Sequence, residues 1–259
     1  MPGSTQGPIR QTLERTSGRV VGQNLGLCYS PEFVAIGSVI RDFLRPDMLL
    51  IGQSDDYAGD LLEAIGRQAA LTQPDVARMN FVNAELAKIA VNTFVTTKIT
   101  FANMLGSVCQ NLPGADVDVV TQAIGLDSRI GRKYLKAAVG YGGPCFPRDN
   151  IALATLAKNT GGHSDLAQAV DTANRQHVSQ LADLVCGHVQ TLLPGGGATI
   201  AVLGLAYKPD TDVIDESQGI ALVKELHWRG LPVIAHDPAA GPNARKLLPP
   251  TVPVIDSLT

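Results

Sequence analysis

Runs of one charge, long apolar stretches and paired cysteines are all missing from this chain of 259 residues, and each absence closes off a class of function. The net charge is −3 with acidic and basic residues interspersed, so no field captures nucleic acid and no Lys/Arg run suits an anionic membrane surface. Every apolar stretch is broken by Lys, Asn, Thr or Pro before the roughly 18 residues a membrane span requires. No nucleic acid and no membrane are expected as partners, which leaves small molecules and other protein chains. Cys28, Cys109, Cys145 and Cys186 form no C-x-x-C pair and follow no secretory signal, which fits a reducing cytoplasm better than a disulfide framework. His163, His177, His188, His227 and His236 lack metal-ligand spacing, so no metal site is expected. The G-x-G-x-x-G fingerprint of a dinucleotide pyrophosphate is absent too, as are internal repeats and low-complexity tracts.

What is present is an ordinary globular composition, 45% hydrophobic and 17% charged, enough for two or three subdomains. Apolar strand-like runs at residues 25–30 and 48–52 alternate with helical stretches near 8–16 and 55–72, the rhythm of an α/β fold with a parallel sheet. Residues 81–112 then read as one long helix, free of Gly and Pro until Gly106 and apolar all round. At 1.5 Å per residue it spans about 45 Å, too long for one small domain to cover. A homodimer packed through this helix is the simplest way to bury it. Three further helices are expected near 116–125, 149–160 and 164–190. Pro194 and three glycines then mark a linker, followed by a βαβ unit: strand 199–205, helix 217–229 stopped by Gly230, and strand 232–236. The expected layout is residues 1–75, 76–193 and 194–259. Both ends look cut: the first residues are turn chemistry with no strand before them, and Asp256 and Ser257 sit where a cap starts a helix.

The segment from Gly140 to Asp149, GYGGPCFPRD, is the most unusual. Glycines admit backbone close to a ligand, two prolines rigidify the turn around Cys145, and Arg148 and Asp149 open a helix. A cysteine at a helix N-terminus beside a cation has its thiolate favoured, which is how a nucleophile is made. A buried turn cysteine is the plainer alternative, against which the Gly and Pro frame weighs. On the long helix Glu85, Lys88 and Asn92 share one face with Val95 and Ile99. An ammonium and an amide there suit a developing alkoxide or a bound water, and a solvated Glu85–Lys88 ion pair fits the same spacing. Glu32, in Pro31-Glu32-Phe33, follows the first strand, where the carboxyl ends of parallel strands place ligands; taken alone, a surface Glu is the simpler reading. In the last βαβ unit Gly204 allows close approach and Lys208 is available to phosphate.

These residues resemble the UDP-glucose/GDP-mannose dehydrogenase family over nearly the whole chain. The carrying motifs are SPEF (30–33), NAELAKIAVNTF (83–94), DSRIG (127–131), GYGGPCFPRD (140–149) and LGLAYKPDTD (203–212). The resemblance implies a partial Rossmann-like NAD-binding piece, a central all-helical domain with one long helix for dimerisation and catalysis, and a partial Rossmann-like UDP-sugar-binding domain. It implies NAD-dependent four-electron oxidation of a sugar CH2OH, with Cys145 the nucleophile that forms a thioester for water to hydrolyse. Lys88 and Asn92 match residues that stabilise oxyanions and hold water, Asp149 the carboxylate that works with them, and Glu32 a carboxylate of thioester hydrolysis. Arg129 matches an arginine passed across the dimer to the neighbouring sugar nucleotide; Tyr134, Gly142 and Lys208 match substrate-binding positions. Glu32 and Arg148 are expected at the cofactor. Two departures, Ile36 where many members carry a second Glu and Asp215 where many carry Arg, bear on substrate and cofactor details rather than on the chemistry. UDP-glucose is the default substrate, with a UDP-N-acetylhexosamine and GDP-mannose as competitors. A noncatalytic sugar-nucleotide-binding or dimerisation module is the rival, and the fragment alone is expected to be inactive for want of the NAD fingerprint.

Overall fold

The computed structural model describes residues 1–257. The chain divides into two compact units, the first Met1–Val91 and the second from Asn92 onward.

The first unit opens on a single π-helical turn, Thr5–Ile9, that runs into α1 (Arg10–Ser17), which Gly18 ends in the left-handed region at φ +67°. Then follow β1 (Cys28–Tyr29), α2 (Val39–Leu44), β2 (Met48–Gln53), α3 (Asp56–Ala69) and β3 (Asp75–Met79). Helix α3 starts where the Asp55 carboxylate accepts the Ala58 N–H at 2.9 Å, satisfying a donor that the helix leaves orphaned. The sheet order is β1-β2-β3. Strands β2 and β3 are parallel, Met48 opposite Asp75, with α3 as their crossover. Strand β1 runs antiparallel to β2, Cys28 opposite Gln53, so the parallel expectation holds for only one of the two pairings. A two-residue edge strand needs no crossover helix over its face, and an antiparallel edge on a parallel sheet is a common arrangement.

In the second unit α4 (Phe81–Gln110), which starts in the first, continues as the expected long helix. It is followed by α5 (Val117–Ile124), α6 (Phe146–Asn159) and α7 (Asp165–Leu192). The last βαβ unit is β4 (Ile200–Leu203), α8 (Gln218–Trp228) and β5 (Val233–His236), extended by α9 (Gly241–Ala244) and β6 (Val254–Ile255). Its sheet, β4-β5-β6, is parallel throughout. Ser217 Oγ accepts the Ile220 N–H to start α8, and Gly230 at φ +80° follows its end. Val223, Leu226 and Ile220 of α8 pack with Val202, Val233, Ala235 and with Ala182 of α7 into one buried cluster. A helix beginning after Ser257 lies outside the described residues. No described helix is long and apolar enough to cross a membrane.

Candidate active site

The turn that leads to Cys145 is held residue by residue within the second unit. Ala138 N–H donates to Asn103 Oδ1 of α4 at 2.7 Å, and Ala138 O meets His177 Nε2 of α7 at 2.7 Å. Asn174 of α7 clamps Tyr141 twice: Tyr141 N–H donates to Asn174 Oδ1 and Asn174 Nδ2 donates to Tyr141 O, each at 2.9 Å. Gly143 N–H donates to Asp215 O at 2.9 Å. Both adjacent glycines are required by this docking. A Cβ on Gly142 collides with the Glu216 carbonyl, and one on Gly143 lies 2.6 Å from the Tyr207 ring. Glu216 itself is held at φ +48°, a strained conformation for a residue with a long side chain.

The chain then enters α6 with Cys145 at the N-cap position, its side chain making no cap bond and exposed to solvent. Pro147 in the first helical turn has no N–H to leave unsatisfied. One turn on, Asp149 N–H closes on Cys145 O at 2.8 Å. The Asp149 carboxylate is buried, 8% exposed, and accepts Asn92 Nδ2 at 2.6 Å on one oxygen and Arg148 Nε at 3.1 Å on the other. The structure thus brings Cys145, Asn92, Arg148 and Asp149 together around the start of α6. The guanidinium of Arg148 is committed to Asp149 while its side chain stays largely exposed. Burial and the nearby Cys145 sulfur push the Tyr207 phenol up.

In the first unit Lys88 Nζ donates to the Glu32 carbonyl at 2.5 Å and stands 4.3 Å from the centre of the Phe33 ring. Lys88 therefore fastens the Pro31–Phe33 segment by backbone and ring, and the Glu32 carboxylate is left exposed. The solvated-face reading of Glu85 is overturned: it is 4% exposed and accepts from Gly3 N–H (2.6 Å), Thr5 N–H (2.8 Å) and Thr5 Oγ1 (2.7 Å). The topological reason for singling out Glu32 also needs correction. Because β1 is antiparallel to β2, the chain leaves β1 toward the amino end of β2, away from its carboxyl end.

Of the remaining candidates, Gly142 belongs to the Cys145 turn itself. Arg129 pairs with Asp127 at 2.6 Å and is exposed; that guanidinium holds the Asp127 carboxyl below its usual range. Tyr134 is exposed at φ +62°. Gly142 is buried against the Glu216 backbone, and Lys208 Nζ lies 5.9 Å from the Tyr207 ring centre. Sequence reasoning missed Tyr141, Asn150, Asn174 and Tyr207 around the turn. Asn150 and Asn174 carried a signal, since asparagine is a poor helix former and stands inside helices only for a reason. A cleft of about 600 Å³ between α7 and α8, lined by Arg175, Glu216, Lys224 and Trp228, reaches the turn at Pro147 and Asn174 but not Cys145.

Two family models match the chain and together span more than half of it. Residues 82–176 match the UDP-glucose/GDP-mannose dehydrogenase family, central domain, and residues 201–259 the UDP binding domain of the same family. The chain is 36% identical to UDP-glucose 6-dehydrogenase AglM of Haloferax volcanii, over 96% of this chain and 57% of that protein. It is 39% identical to UDP-glucose 6-dehydrogenase TuaD of Bacillus subtilis, over 85% of this chain and 46% of that one. Among solved structures, a UDP-glucose dehydrogenase from Pyrobaculum islandicum superimposes with a TM-score of 0.85 at 34% identity, covering 99% of this chain and 57% of the other. The chain thus has an α/β fold like that of nucleotide-sugar dehydrogenases, and it spans about half the length of the curated relatives it matches. On the matched models and these identities, the chain belongs to the UDP-glucose/GDP-mannose dehydrogenase family.

Proposed function

We propose that this chain carries the sugar-oxidising chemistry of an NAD-dependent nucleotide-sugar 6-dehydrogenase, with UDP-glucose as substrate and Cys145 as covalent nucleophile. The observation that carries the reading is the start of α6: an exposed thiol at the N-cap, with a buried Asp149 hydrogen-bonded to half-buried Asn92 one turn beyond. The names of the relatives and of the UDP binding domain support the substrate class. Residues 1–75 are assigned to the NAD-binding region, 76–193 to the central helical domain and 194–259 to the nucleotide-binding domain, the two flanking pieces each partial and Rossmann-like; the family models support the latter two.

NAD would supply the hydride acceptor, one molecule of NAD for each of the two hydrides released. The turns of the first unit do not fit its pyrophosphate. Both helices that follow parallel strands there, α3 and α4, begin on N–H groups already taken by the Asp55 and Asn80 side chains, and the Asp55 carboxylate repels a diphosphate. What this chain supplies lies on the sugar side. The Cys145 sulfur adds to the aldehyde carbon, and at the end water displaces it from the thioester, leaving a carboxylate and the free thiol. Asp149 fixes Asn92, whose amide stabilises oxygen charge developing beside the sulfur. Lys88 is assigned to oxyanion stabilisation and Glu32 to thioester hydrolysis. Arg148 and Glu32 are assigned to the cofactor; Arg129, Tyr134, Gly142 and Lys208 to the sugar nucleotide. Four free cysteines fit a cytoplasmic setting.

A homodimer completes the proposal. On α4, Phe94, Phe101, Met104 and Val108 are 66%, 44%, 52% and 52% exposed and recur at spacings of seven, three and four, one apolar stripe. Sedimentation at micromolar concentration should give a dimer, and a concentration-independent monomer would remove this part. The function is tested by NADH formed per mole of sugar by this chain joined to a complete NAD-binding domain, with NAD and UDP-glucose, UDP-N-acetylmannosamine or GDP-mannose in parallel. Two NADH per UDP-glucose supports the reading; binding of the nucleotide sugar without NADH favours the noncatalytic module.

A further inference from the structure

Three buried polar side chains, Thr96, Asn150 and Tyr141, form a line of hydrogen bonds behind Cys145, with a fourth, Asn174, clamping the Tyr141 backbone, and neither the family models nor the relatives' names give them a role. The Thr96 hydroxyl of α4 donates to the Thr93 carbonyl at 2.8 Å and also lies within hydrogen-bond reach of Asn150 Oδ1 at 3.1 Å. Asn150 donates Nδ2 to the Tyr141 phenol oxygen at 2.8 Å. Tyr141 is held at its backbone by both atoms of the Asn174 amide. Thr96, Asn150, Tyr141 and Asn174 are 0%, 1%, 3% and 5% exposed. Polar groups buried so fully cost stability unless paired, and apolar residues of like size fill such space at less risk. Their placement therefore calls for a reason beyond packing.

The reason lies in what the two ends of the Tyr141–Asn150 bond carry. Tyr141 belongs to the turn that delivers Cys145, and its ring meets Phe146, the next residue after the cysteine, edge-on at 6.2 Å and 86°. Asn150 directly follows Asp149, so its amide fixes the rotation of the first turn of α6. The bond thus closes the segment from 141 to 150 on itself across Cys145 and Asp149. Thr96 ties this closure to α4 one turn beyond Asn92, whose amide holds Asp149 from the same helix. We infer that Tyr141 and Asn150 are positioning residues that hold the Cys145 sulfur in register with the Asp149–Asn92 pair. The inference rests on the reading of Cys145 as the nucleophile.

The test is the rate at which iodoacetamide alkylates Cys145 in the 259-residue chain, read by peptide mass spectrometry beside thermal unfolding. Tyr141→Phe keeps the ring but leaves the Asn150 amide without its acceptor, so both the melting temperature and the alkylation rate should fall, the rate at least fivefold. The double variant Tyr141→Phe/Asn150→Leu also removes the orphaned donor. It should regain most of the melting temperature while alkylation stays at least fivefold slow. Recovery of the alkylation rate together with stability, or an unchanged rate in Tyr141→Phe, would make the pair structural only and overturn the inference. A wild-type Cys145 that reacts no faster than glutathione at the same pH would remove the nucleophile reading and this inference with it.

Discussion

The segments around Cys145 and around Glu32 both carry residues assigned to one reaction, yet the fold treats them differently. Between Ala138 and Asn150 the chain is tied by α4, α6, α7 and the loop at Asp215, with two glycines that admit no side chain. Residues 30–38 form no strand or helix; Lys88 holds them at one carbonyl and one ring, and the Asp42 carboxylate accepts from Ala35 N–H and Ser38 Oγ. A nucleophile has to be placed to a fraction of an ångström, because misplacement costs rate directly. A carboxylate that activates water tolerates a looser seat. On the proposed reading, the more tightly restrained backbone is the one that holds the nucleophile.

The largest effect that follows is on Cys145. In the chain joined to a complete NAD-binding domain, Cys145→Ser should lower carboxylate formation about a thousandfold or more while leaving UDP-sugar affinity within about twofold, because the sulfur acts after binding. Acid formed at the unchanged rate would place the nucleophile elsewhere. Gly142→Ala comes next: its methyl meets the Glu216 carbonyl, and backbone must shift at a cost of about 1–3 kcal/mol, read as a lower urea midpoint. An unchanged midpoint would mean the turn is not packed on residues 215–216.

A smaller effect belongs to Asp237, just after β5. Burial alone raises its carboxyl, but N–H donors from Ala240, Leu205, Ala206 and Ala239 outweigh it and hold the carboxyl below its usual range. The sign follows from the direction: a depressed folded value means stability present above the unfolded carboxyl value of about 3.9 and lost as pH falls through the folded one. Asp237→Asn should cost about 1–2 kcal/mol at pH 7, allowing for solvent screening, and flatten the acid limb of the stability profile. An acid limb identical to the parent's would assign that pH dependence to other groups. The smallest effect is on Glu32. Lys88 donates to the Glu32 carbonyl and Glu32 is exposed, so Glu32→Gln should change stability by less than about 0.5 kcal/mol. A larger loss would mean the 30–38 segment is as structural as the Cys145 turn.

Much of this was legible in the sequence because the signals are local. The apolar pattern and lack of Gly or Pro gave α4 over nearly its full length, Gly230 marked the end of α8, and the Gly and Pro frame singled out Cys145. What escaped depends on partners distant in sequence. Strand β3 reads as polar because Arg78 is paid for by Asp60 at 2.5 Å and Gln53 at 2.7 Å. Glu85 looked solvated because its donors, Gly3 and Thr5, lie some 80 residues away. The direction of β1 was set by pairing with β2, which periodicity does not encode. Tyr141, Asn150 and Asn174 acquire their role only when three helices converge on one turn.

The most direct measurement of the central claim is the mass of the Cys145 peptide after the chain, joined to a complete NAD-binding domain, is incubated with the 6-aldehyde of UDP-glucose and NAD and quenched in acid. The account predicts an adduct of the sugar nucleotide on Cys145 alone, absent from Cys145→Ser. No adduct, or one spread over Cys28, Cys109 and Cys186 as well, would contradict it.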